Sequence, residues 1–258
     1  MDQVKLIFGL IGFPLGHSRS PEWFNEKFRS AGQNEYEYRL FPLARIEEVA
    51  SLLIKYPELA GLNVTIPYKE KIIPYLDELD ETARLIGAVN TIIIIRTKGK
   101  ILTRGFNTDA PGFLQTLSAR IPHSPALILG TGGAARAVAH ALTLKNIRFT
   151  FVSSINKGPG ILSYNDLTRE VISHHLLIIN ATPLGMFPDI ERFPPIPYHF
   201  LSGDHFLYDL IYNPEETEFI KRGKAMNTKT MNGAQMLINQ AELSLLKFLN
   251  PVFRSILN

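Results

Sequence analysis

Two residues of this 258-residue chain could exchange a proton with a bound ligand. Lys69 follows residues 62–66, an apolar run that predicts a short strand, and Pro67 ends that strand because proline has no N–H for a sheet ladder. Lys69 is therefore expected in the first turn after a strand, where open α/β sheets bind their ligands. Asp109 ends the turn-rich segment 105–109. Brought together, a lysine and an aspartate form a proton-transfer pair; alone, Lys69 would be an ordinary surface lysine.

Two serines follow the first predicted strand, residues 4–11. Ser20 is expected to cap a helix that has Pro21 at its first position and runs to Phe28. Ser18 and Ser20 could act only as caps. Alternatively, free hydroxyls and backbone N–H groups at a helix N-terminus favour an anion such as a carboxylate.

A glycine-rich segment lies between a predicted buried strand, residues 126–129, and an alanine-rich helix that runs to Leu144. Its pattern, G-x-G-x-x-A, is the dinucleotide-binding fingerprint in the context that the fingerprint requires. Glycines let the backbone approach a pyrophosphate, and the helix N-terminus attracts its charge. The sequence therefore predicts that a nucleotide contacts Gly130, Thr131, Gly132, Gly133 and Ala134.

The strand predicted at residues 149–152 should end near the ribose of that nucleotide. An NAD site has Asp or Glu at this point to hold the 2′-hydroxyl, and residues 110–165 contain neither. Ser153, Ser154 and Lys157 occur there instead. They could hold the 2′-phosphate of NADP or form a plain loop, so the sequence favours NADP and leaves NAD as the alternative.

Alternating strands and helices must position these residues, which predicts an α/β fold. Helical spacing also places Ile72, Ile73 and Leu76 on one side of a helix. Asn90 precedes a strand and either bonds backbone or presents its amide to a ligand; Gln240, in the apolar stripe of the last helix, leaves the same two alternatives. The other predicted strands are residues 36–41, 92–95 with a hairpin turn at 96–100, 176–180 and 206–212, and the other helices are 46–55, 80–86, 110–117, 215–223 and 233–248.

Composition excludes several classes of protein. The net charge of +3 without a basic block argues against nucleic acid, and the absence of cysteine excludes disulfides, thiolate catalysis and cysteine metal sites. Glycines and a proline interrupt residues 6–15, which favours a buried strand over a signal peptide, and no apolar run is long enough to span a membrane. We expect a cytoplasmic enzyme without a metal ion.

Six motifs in order make the chain resemble the shikimate dehydrogenase family over nearly its whole length. These are the serine loop 12–21, the lysine segment 63–69, Ala-Val-Asn-Thr at 88–91, Asn-Thr-Asp at 107–109, the cofactor loop 130–135 and the final segment 232–240. The resemblance implies reversible reduction of 3-dehydroshikimate to shikimate with NADP(H), on the route to chorismate and the aromatic amino acids. It also implies an α/β substrate domain, residues 1–104 completed by 228–258, beside a Rossmann-type domain, residues 105–227, across a cleft.

The resemblance assigns roles to matching positions. Lys69 and Asp109 would be catalytic, and Ser18 and Ser20 would hold the substrate carboxylate. The remaining implied contacts are Asn63, Thr65, Asn90, Asn107, Tyr212 and Gln240 for the substrate, and Glu81, Leu210 and Gly233 near the nicotinamide.

One departure from the family concerns the cofactor: Ser154 stands where many members carry an arginine for the 2′-phosphate, so Lys157 would have to compensate. The alternatives are a quinate/shikimate dehydrogenase that uses NAD, a folate-type methylene dehydrogenase, and a nucleotide-binding protein without turnover. A monomer or a homodimer is expected.

Overall fold

The structure is a computed structural model, and it describes residues 6–16, 18–97, 99–118, 121–155 and 158–250. The chain divides into two compact units. The first unit is Met1–Thr108 with Ala241–Asn258, and the second is Asp109–Gln240. Relative to the boundaries expected from the sequence, residues 105–108 belong to the first unit and residues 228–240 to the second.

A six-stranded mixed sheet organises the first unit, in the order β2-β1-β3-β5-β6-β4. Strands β1, β2 and β3 are parallel to one another, whereas β5 is antiparallel to both of its neighbours. The elements are β1 (Leu6–Gly12), α1 (Ser20–Ser30), β2 (Tyr36–Pro42), α2 (Glu48–Lys55), β3 (Leu59–Val64), β4 (Glu78–Leu79), α3 (Glu81–Ile86), β5 (Thr91–Thr97) and β6 (Lys100–Phe106).

Both faces of this sheet are covered, because side chains alternate along each strand. On β1, Ile7 and Ile11 belong to one buried cluster, while Phe8 and Leu10 belong to another. The second of these clusters is rich in aromatic rings, including Phe24 and Tyr38, which stack with centroids 4.2 Å apart, and Phe28 and Phe248. A sheet buried on both faces holds its strand ends rigidly.

A six-stranded parallel sheet organises the second unit, in the order β12-β11-β10-β7-β8-β9. On β7, Ala126 and Ile128 join one buried cluster and Leu127 and Leu129 the other, so this sheet is also covered on both faces. The elements are α4 (Asp109–Leu114), β7 (Ala126–Leu129), α5 (Gly133–Leu144), β8 (Phe149–Val152), β9 (Ile161–Leu162), α6 (Arg169–His174), β10 (Leu177–Asn180), β11 (Phe206–Asp209), α7 (Glu218–Ala225), β12 (Lys229–Met231) and α8 (Ala234–Leu249). Helix α8 belongs to this unit up to Gln240 and to the first unit from Ala241. The α/β fold class and the Rossmann-type sheet are thus confirmed.

Three local predictions near the serine loop and Lys69 were wrong. Ser20 is not the cap of α1: the N-cap is Arg19, which makes no side-chain cap hydrogen bond, and Ser20 is already helical. The helix predicted around residues 72–76 is only a 3₁₀ turn, Ile73–Tyr75, because Pro74 lacks the N–H of a continuing helix. The strand before Lys69 spans Leu59–Val64 rather than residues 62–66, and its registered ladder with β1 covers the same residues.

No helix in the described part of the chain is long and apolar enough to cross a membrane. Over the same residues, no group of three or more His, Asp or Glu side chains is placed to hold a metal ion.

Candidate active site

The serine loop and the lysine segment leave the sheet side by side. Parallel pairing of β1 and β3 puts their carboxyl ends together, and it is extended by bonds from the Thr65 N–H to the Ile11 carbonyl (2.9 Å) and from the Phe13 N–H to the Ile66 carbonyl (3.1 Å). Gly12 allows this approach, since a Cβ there would lie 2.5 Å from the Thr65 Cγ2. The fold therefore brings together two segments predicted to bind the substrate.

The two serines lie against each other at the start of α1. The Ser18 hydroxyl donates to the Ser20 hydroxyl at 3.1 Å and accepts from the Ser20 N–H at 3.3 Å. Both side chains are half-buried. Ser20 has no capping role, whereas the Ser18 hydroxyl accepts the N–H of the first residue of α1.

Lys69 is half-buried, and its backbone is fixed to the Ala-Val-Asn-Thr segment. Its carbonyl accepts from the Val89 N–H at 2.8 Å, next to Asn90. The Asn90 Oδ1 accepts from the Thr108 N–H at 2.7 Å, and its Nδ2 donates to the Thr108 hydroxyl at 2.9 Å. Of the two alternatives for Asn90, backbone bonding is therefore present. Asn90 therefore links Thr108, the residue before Asp109, to the segment that is bonded to the Lys69 backbone.

A buried network of hydroxyls lies beside Asn90. The Ser244 hydroxyl of α8 is 2.8 Å from that of Thr91 and 3.0 Å from that of Thr108, and it accepts from the Asn63 Nδ2 at 3.0 Å. The Asn63 Oδ1 accepts from the Tyr38 hydroxyl at 2.8 Å. Asn63 was expected to contact the substrate, but its amide is used within the unit.

We predict that Ser244→Ala lowers the free energy of unfolding by about 1–3 kcal/mol, because buried partners would lose a hydrogen bond. Ser244 is fully buried, whereas Ser51 on α2 is exposed. Ser51→Ala is therefore the matched control and should be nearly neutral. Urea unfolding of both variants checks this prediction, and equal stabilities would show that the network contributes nothing.

Two other expected residues of the first unit differ in exposure. Asn107 is buried, and its Nδ2 donates to the Ala88 carbonyl at 3.0 Å, which again fixes the Ala-Val-Asn-Thr segment. Glu81 is exposed in the first turn of α3, after the cap Asp80.

The glycine loop of the second unit fits a pyrophosphate. Gly130 ends β7 with φ +105°, a backbone conformation that favours glycine, and a Cβ there would lie 3.2 Å from the Ala181 carbonyl oxygen. Gly132 is the N-cap of α5 and has no side chain to satisfy the first N–H groups of the helix. Thr131 lies in the loop, and Gly133 and Ala134 are the first two residues of α5.

The two serines in the loop after β8 differ in burial. Ser153 is buried, and its hydroxyl accepts from the Ile155 N–H at 3.2 Å, so it stabilises the turn. Ser154 is exposed. Of the pair, Ser154 is the residue whose side chain is accessible to a ribose phosphate, and Lys157 lies outside the described residues.

Asp109 is the buried first residue of α4, and α4 packs closely on α8. A Cβ on Gly112 would lie 2.9 Å from the Cβ of Gln240, and the Gly112 carbonyl accepts from the Asn239 Nδ2 at 3.1 Å. The Gln240 Nε2 donates to the Leu237 carbonyl at 3.0 Å. Within the second unit, the fold thus sets the expected catalytic acid and the expected substrate amide on neighbouring helices.

The segment after β11 carries Leu210 and Tyr212, and it is held by residues near the start of α8. Gly233 donates its N–H to the Ile211 carbonyl at 3.0 Å, and a Cβ on Gly233 would lie 2.0 Å from the Leu210 carbonyl oxygen. Only glycine fits at that position. Tyr212 is exposed, with 37% of its surface accessible.

Asp209, at the end of β11, is a fully buried carboxyl group. Desolvation raises its pKa from the ordinary 3.8 to about 6, against the lowering effect of hydrogen bonds from Thr217, Ile211 and Asn180. Because the raised pKa means that the folded state favours the protonated form, the protonation of Asp209 contributes to the free energy of unfolding. This contribution is complete below about pH 4 and is lost as the pH rises through about 6.

The side chain of the Asp209→Asn variant cannot titrate. We therefore predict that the variant gains stability relative to the wild type as the pH rises. The pKa difference corresponds to about 3 kcal/mol. The free energy of unfolding of the variant minus that of the wild type should therefore rise by up to about 3 kcal/mol between about pH 4 and about pH 7. Urea unfolding of both proteins across this range measures the difference. A difference independent of pH would contradict a raised pKa.

Among the buried polar residues, sequence reasoning missed Asn180, Asp209 and Ser244. Asn180 and Asp209 end two apolar runs, 177–179 and 206–208, at the carboxyl ends of neighbouring strands, and that position was a usable signal. Ser244 gave no such signal, because its partners Thr91 and Thr108 are far away in the sequence.

Comparison with known proteins agrees with this arrangement. A family model described as the shikimate dehydrogenase substrate binding domain matches residues 10–92. The shikimate dehydrogenase (NADP(+)) of Halothermothrix orenii is 40% identical over 265 residues, which cover 93% of this chain and 89% of that protein.

Solved structures give the same result. Shikimate 5-dehydrogenase from Thermus thermophilus, in complex with NADP(H) and shikimate, is 32% identical, with a TM-score of 0.81 over 95% of this chain and 93% of that one. Quinate dehydrogenase from Corynebacterium glutamicum, in complex with NAD, is 26% identical, with a TM-score of 0.81 over 98% of each chain. The identity to the first relative over nearly the whole chain shows that this protein belongs to the shikimate dehydrogenase family.

Proposed function

We propose that this chain interconverts 3-dehydroshikimate and shikimate with NADP(H). The observation that carries the proposal is the meeting of the serine pair with the segment that leads to Lys69 at the ends of β1 and β3, in a chain of this family. This arrangement suits a small hydroxylated carboxylate. It distinguishes the proposed substrate from the folate derivatives considered above.

The proposed roles follow the chemistry of each side chain. Ser18 and Ser20 hold the substrate carboxylate through their adjacent hydroxyls. Asn63 and the hydroxyl network keep Asn90 in place. The residues proposed to contact the hydroxyl groups and ring of the substrate are Thr65, Asn90, Asn107, Tyr212 and Gln240.

Lys69 and Asp109 are the proposed catalytic pair. Oxidation of the alcohol breaks one C–H and one O–H bond, and the nicotinamide cofactor supplies the hydride acceptor when it is bound. The chain must therefore take one proton from the oxygen, and in the reverse direction return it to the developing alkoxide. A lysine ammonium can donate a proton to a developing alkoxide, and a carboxylate can accept one from an alcohol.

The second unit is proposed as the cofactor unit. The glycine loop and the open N-terminus of α5 suit the pyrophosphate, and Leu210 and Gly233 are proposed for the nicotinamide side, with Glu81 as a weaker candidate from the resemblance. NADP is favoured over NAD because no acid occurs between residues 110 and 165 and because the relative from Halothermothrix orenii is named for NADP(+).

We predict that Ser154→Asp lowers kcat/KM for NADP⁺ by about tenfold or more, since a carboxylate at the end of β8 repels a 2′-phosphate and favours a 2′-hydroxyl. The kcat/KM for NAD⁺ should change less or rise. Ser154→Ala is the control that removes the hydroxyl without adding charge. Equal losses with both cofactors would place the 2′-phosphate elsewhere.

The proposed function is tested by identifying the product. Purified protein is incubated with shikimate and NADP⁺, and parallel reactions contain quinate or NAD⁺. We expect 3-dehydroshikimate as the main product, formed fastest with NADP⁺. A higher kcat/KM for quinate than for shikimate would favour the quinate/shikimate dehydrogenase alternative. The structural similarity of this chain to quinate dehydrogenase is the observation that supports that alternative. No turnover with either substrate would favour the nucleotide-binding alternative. The cytoplasmic location and the monomer or homodimer state stay predictions.

A further inference from the structure

Asp209 has no assigned part in the reaction, although burying its carboxylate is costly. It has no exposed surface, and within the described ranges it forms no ion pair. A buried carboxylate without a counter-ion needs several hydrogen-bond donors to compensate for its lost hydration.

Three donors from three different segments converge on this carboxylate. The Oδ1 accepts from the Asn180 Nδ2 at the end of β10 and from the Ile211 N–H after β11, each at 3.0 Å. The Oδ2 accepts from the hydroxyl of Thr217, the N-cap of α7, at 2.5 Å. One side chain therefore fixes both ends of the loop between β11 and α7 and joins it to the neighbouring strand.

Through Asn180, the same carboxylate reaches the turn that lies against the glycine loop. The Asn180 Oδ1 accepts from the Thr182 N–H at 3.0 Å and from the Thr182 hydroxyl at 2.6 Å. A Cβ on Gly130 would lie 3.2 Å from both the Ala181 carbonyl oxygen and the Thr182 Cγ2. The turn and the glycine loop are thus in close contact.

The Asp209 carboxylate also holds the segment after β11, which contacts Gly233. Ile211 donates to Asp209 and accepts from the Gly233 N–H, and a Cβ on Gly233 would meet Leu210. Leu210 therefore lies on backbone that Asp209 holds through Ile211, Gly233 is bonded to that backbone, and Gly130 of the pyrophosphate loop contacts the turn that Asn180 holds.

We propose that Asp209 is a positioning residue for the cofactor: it holds the Leu210–Tyr212 backbone and the Ala181–Leu184 turn in the arrangement that receives the nicotinamide half. It touches no reacting atom. The inference rests on the proposed function for its ligand, while the ordering of the two segments can be measured without turnover.

The test compares Asp209→Ala, which removes all three acceptor bonds, with Asp209→Asn, which keeps an oxygen for Ile211 and Asn180 and an amide beside the Thr217 hydroxyl. Asp204→Ala, at an exposed position just before β11, is the matched control. The readouts are the Kd of NADPH by direct titration, the KM for NADP⁺ and for shikimate, and amide hydrogen exchange in cofactor-free protein.

We expect Asp209→Ala to raise the Kd and KM for the cofactor about tenfold or more while the KM for shikimate changes less than about threefold. Exchange should accelerate at residues 181–184 and 210–217 and stay unchanged at residues 63–69. Asp209→Asn should restore most of the cofactor affinity. If neither variant changes the Kd for NADPH or the exchange of these segments, and only the yield of folded protein falls, the inference is overturned.

Failure of the inference and failure of the proposed function give different results. A wild type that does not oxidise shikimate refutes the function, and the NADPH titration and hydrogen exchange still decide the role of Asp209. A wild type that does oxidise shikimate, with variants that bind NADPH normally, refutes only the inference.

Discussion

Replacing Lys69 with alanine should lower kcat for shikimate oxidation by about a hundredfold or more, the usual contribution of a positioned acid–base group. The lysine is half-buried, and its backbone is fixed by the Val89 N–H, so its loss should not disturb the strand before it. The alcohol would then have to lose its proton to water as the hydride leaves. Initial rates at saturating shikimate and NADP⁺ measure the effect.

Lys71→Ala is the matched control for this variant. Lys71 is exposed two residues further along, and its removal changes the charge by the same amount. It should retain nearly full kcat. If Lys69→Ala is folded, binds shikimate and turns over at a rate comparable to that of the control, Lys69 has no part in the chemistry.

Replacing Asp109 with asparagine should also lower kcat by about a hundredfold, because the amide cannot accept a proton from the oxygen. Asparagine keeps the size of the side chain, which matters because Asp109 is buried at the start of α4. The same initial-rate assay gives kcat, and a titration with NADPH shows whether the second unit is intact.

Asp204→Asn, an exposed position in the same unit, is the control for lost charge and should be active. A rise in KM for shikimate with an unchanged kcat would show that Asp109 only binds the substrate equally in ground and transition states. That result would remove it from the proton transfer.

Much of the fold could be predicted from the sequence, because long apolar runs between turn residues define buried strands. Strands β7 and β8 occur at the predicted residues, and the glycine loop lies between β7 and α5 as its pattern requires. Helix α3 begins after its cap Asp80 and ends at Gly87, both of which are readable local signals.

The missed elements are short or lack a periodic pattern. Strand β12 has only three residues and forms by pairing with β11 at the edge of the sheet. Helix α6 has only six residues and lies in a polar segment. Tertiary pairing rather than local propensity decides such elements.

The candidate site could be predicted only in part for a related reason. The serine loop, Lys69 and the glycine loop carry local motifs, whereas the residues that hold them do not. Ser244 was hidden in the apolar pattern of α8, and the role of Asp209 depends on the meeting of β10, β11 and the start of α7. Buried polar networks of this kind depend on contacts that only the folded chain reveals.

The central claim, that Lys69 and Asp109 serve one proton-transfer step, is tested most directly by the double variant Lys69→Ala/Asp109→Asn. Residues that act as a unit have non-additive effects on turnover. We predict that kcat/KM of the double variant equals that of the weaker single variant within about threefold. If the two losses multiply instead, the residues act independently and the proposed pair is contradicted.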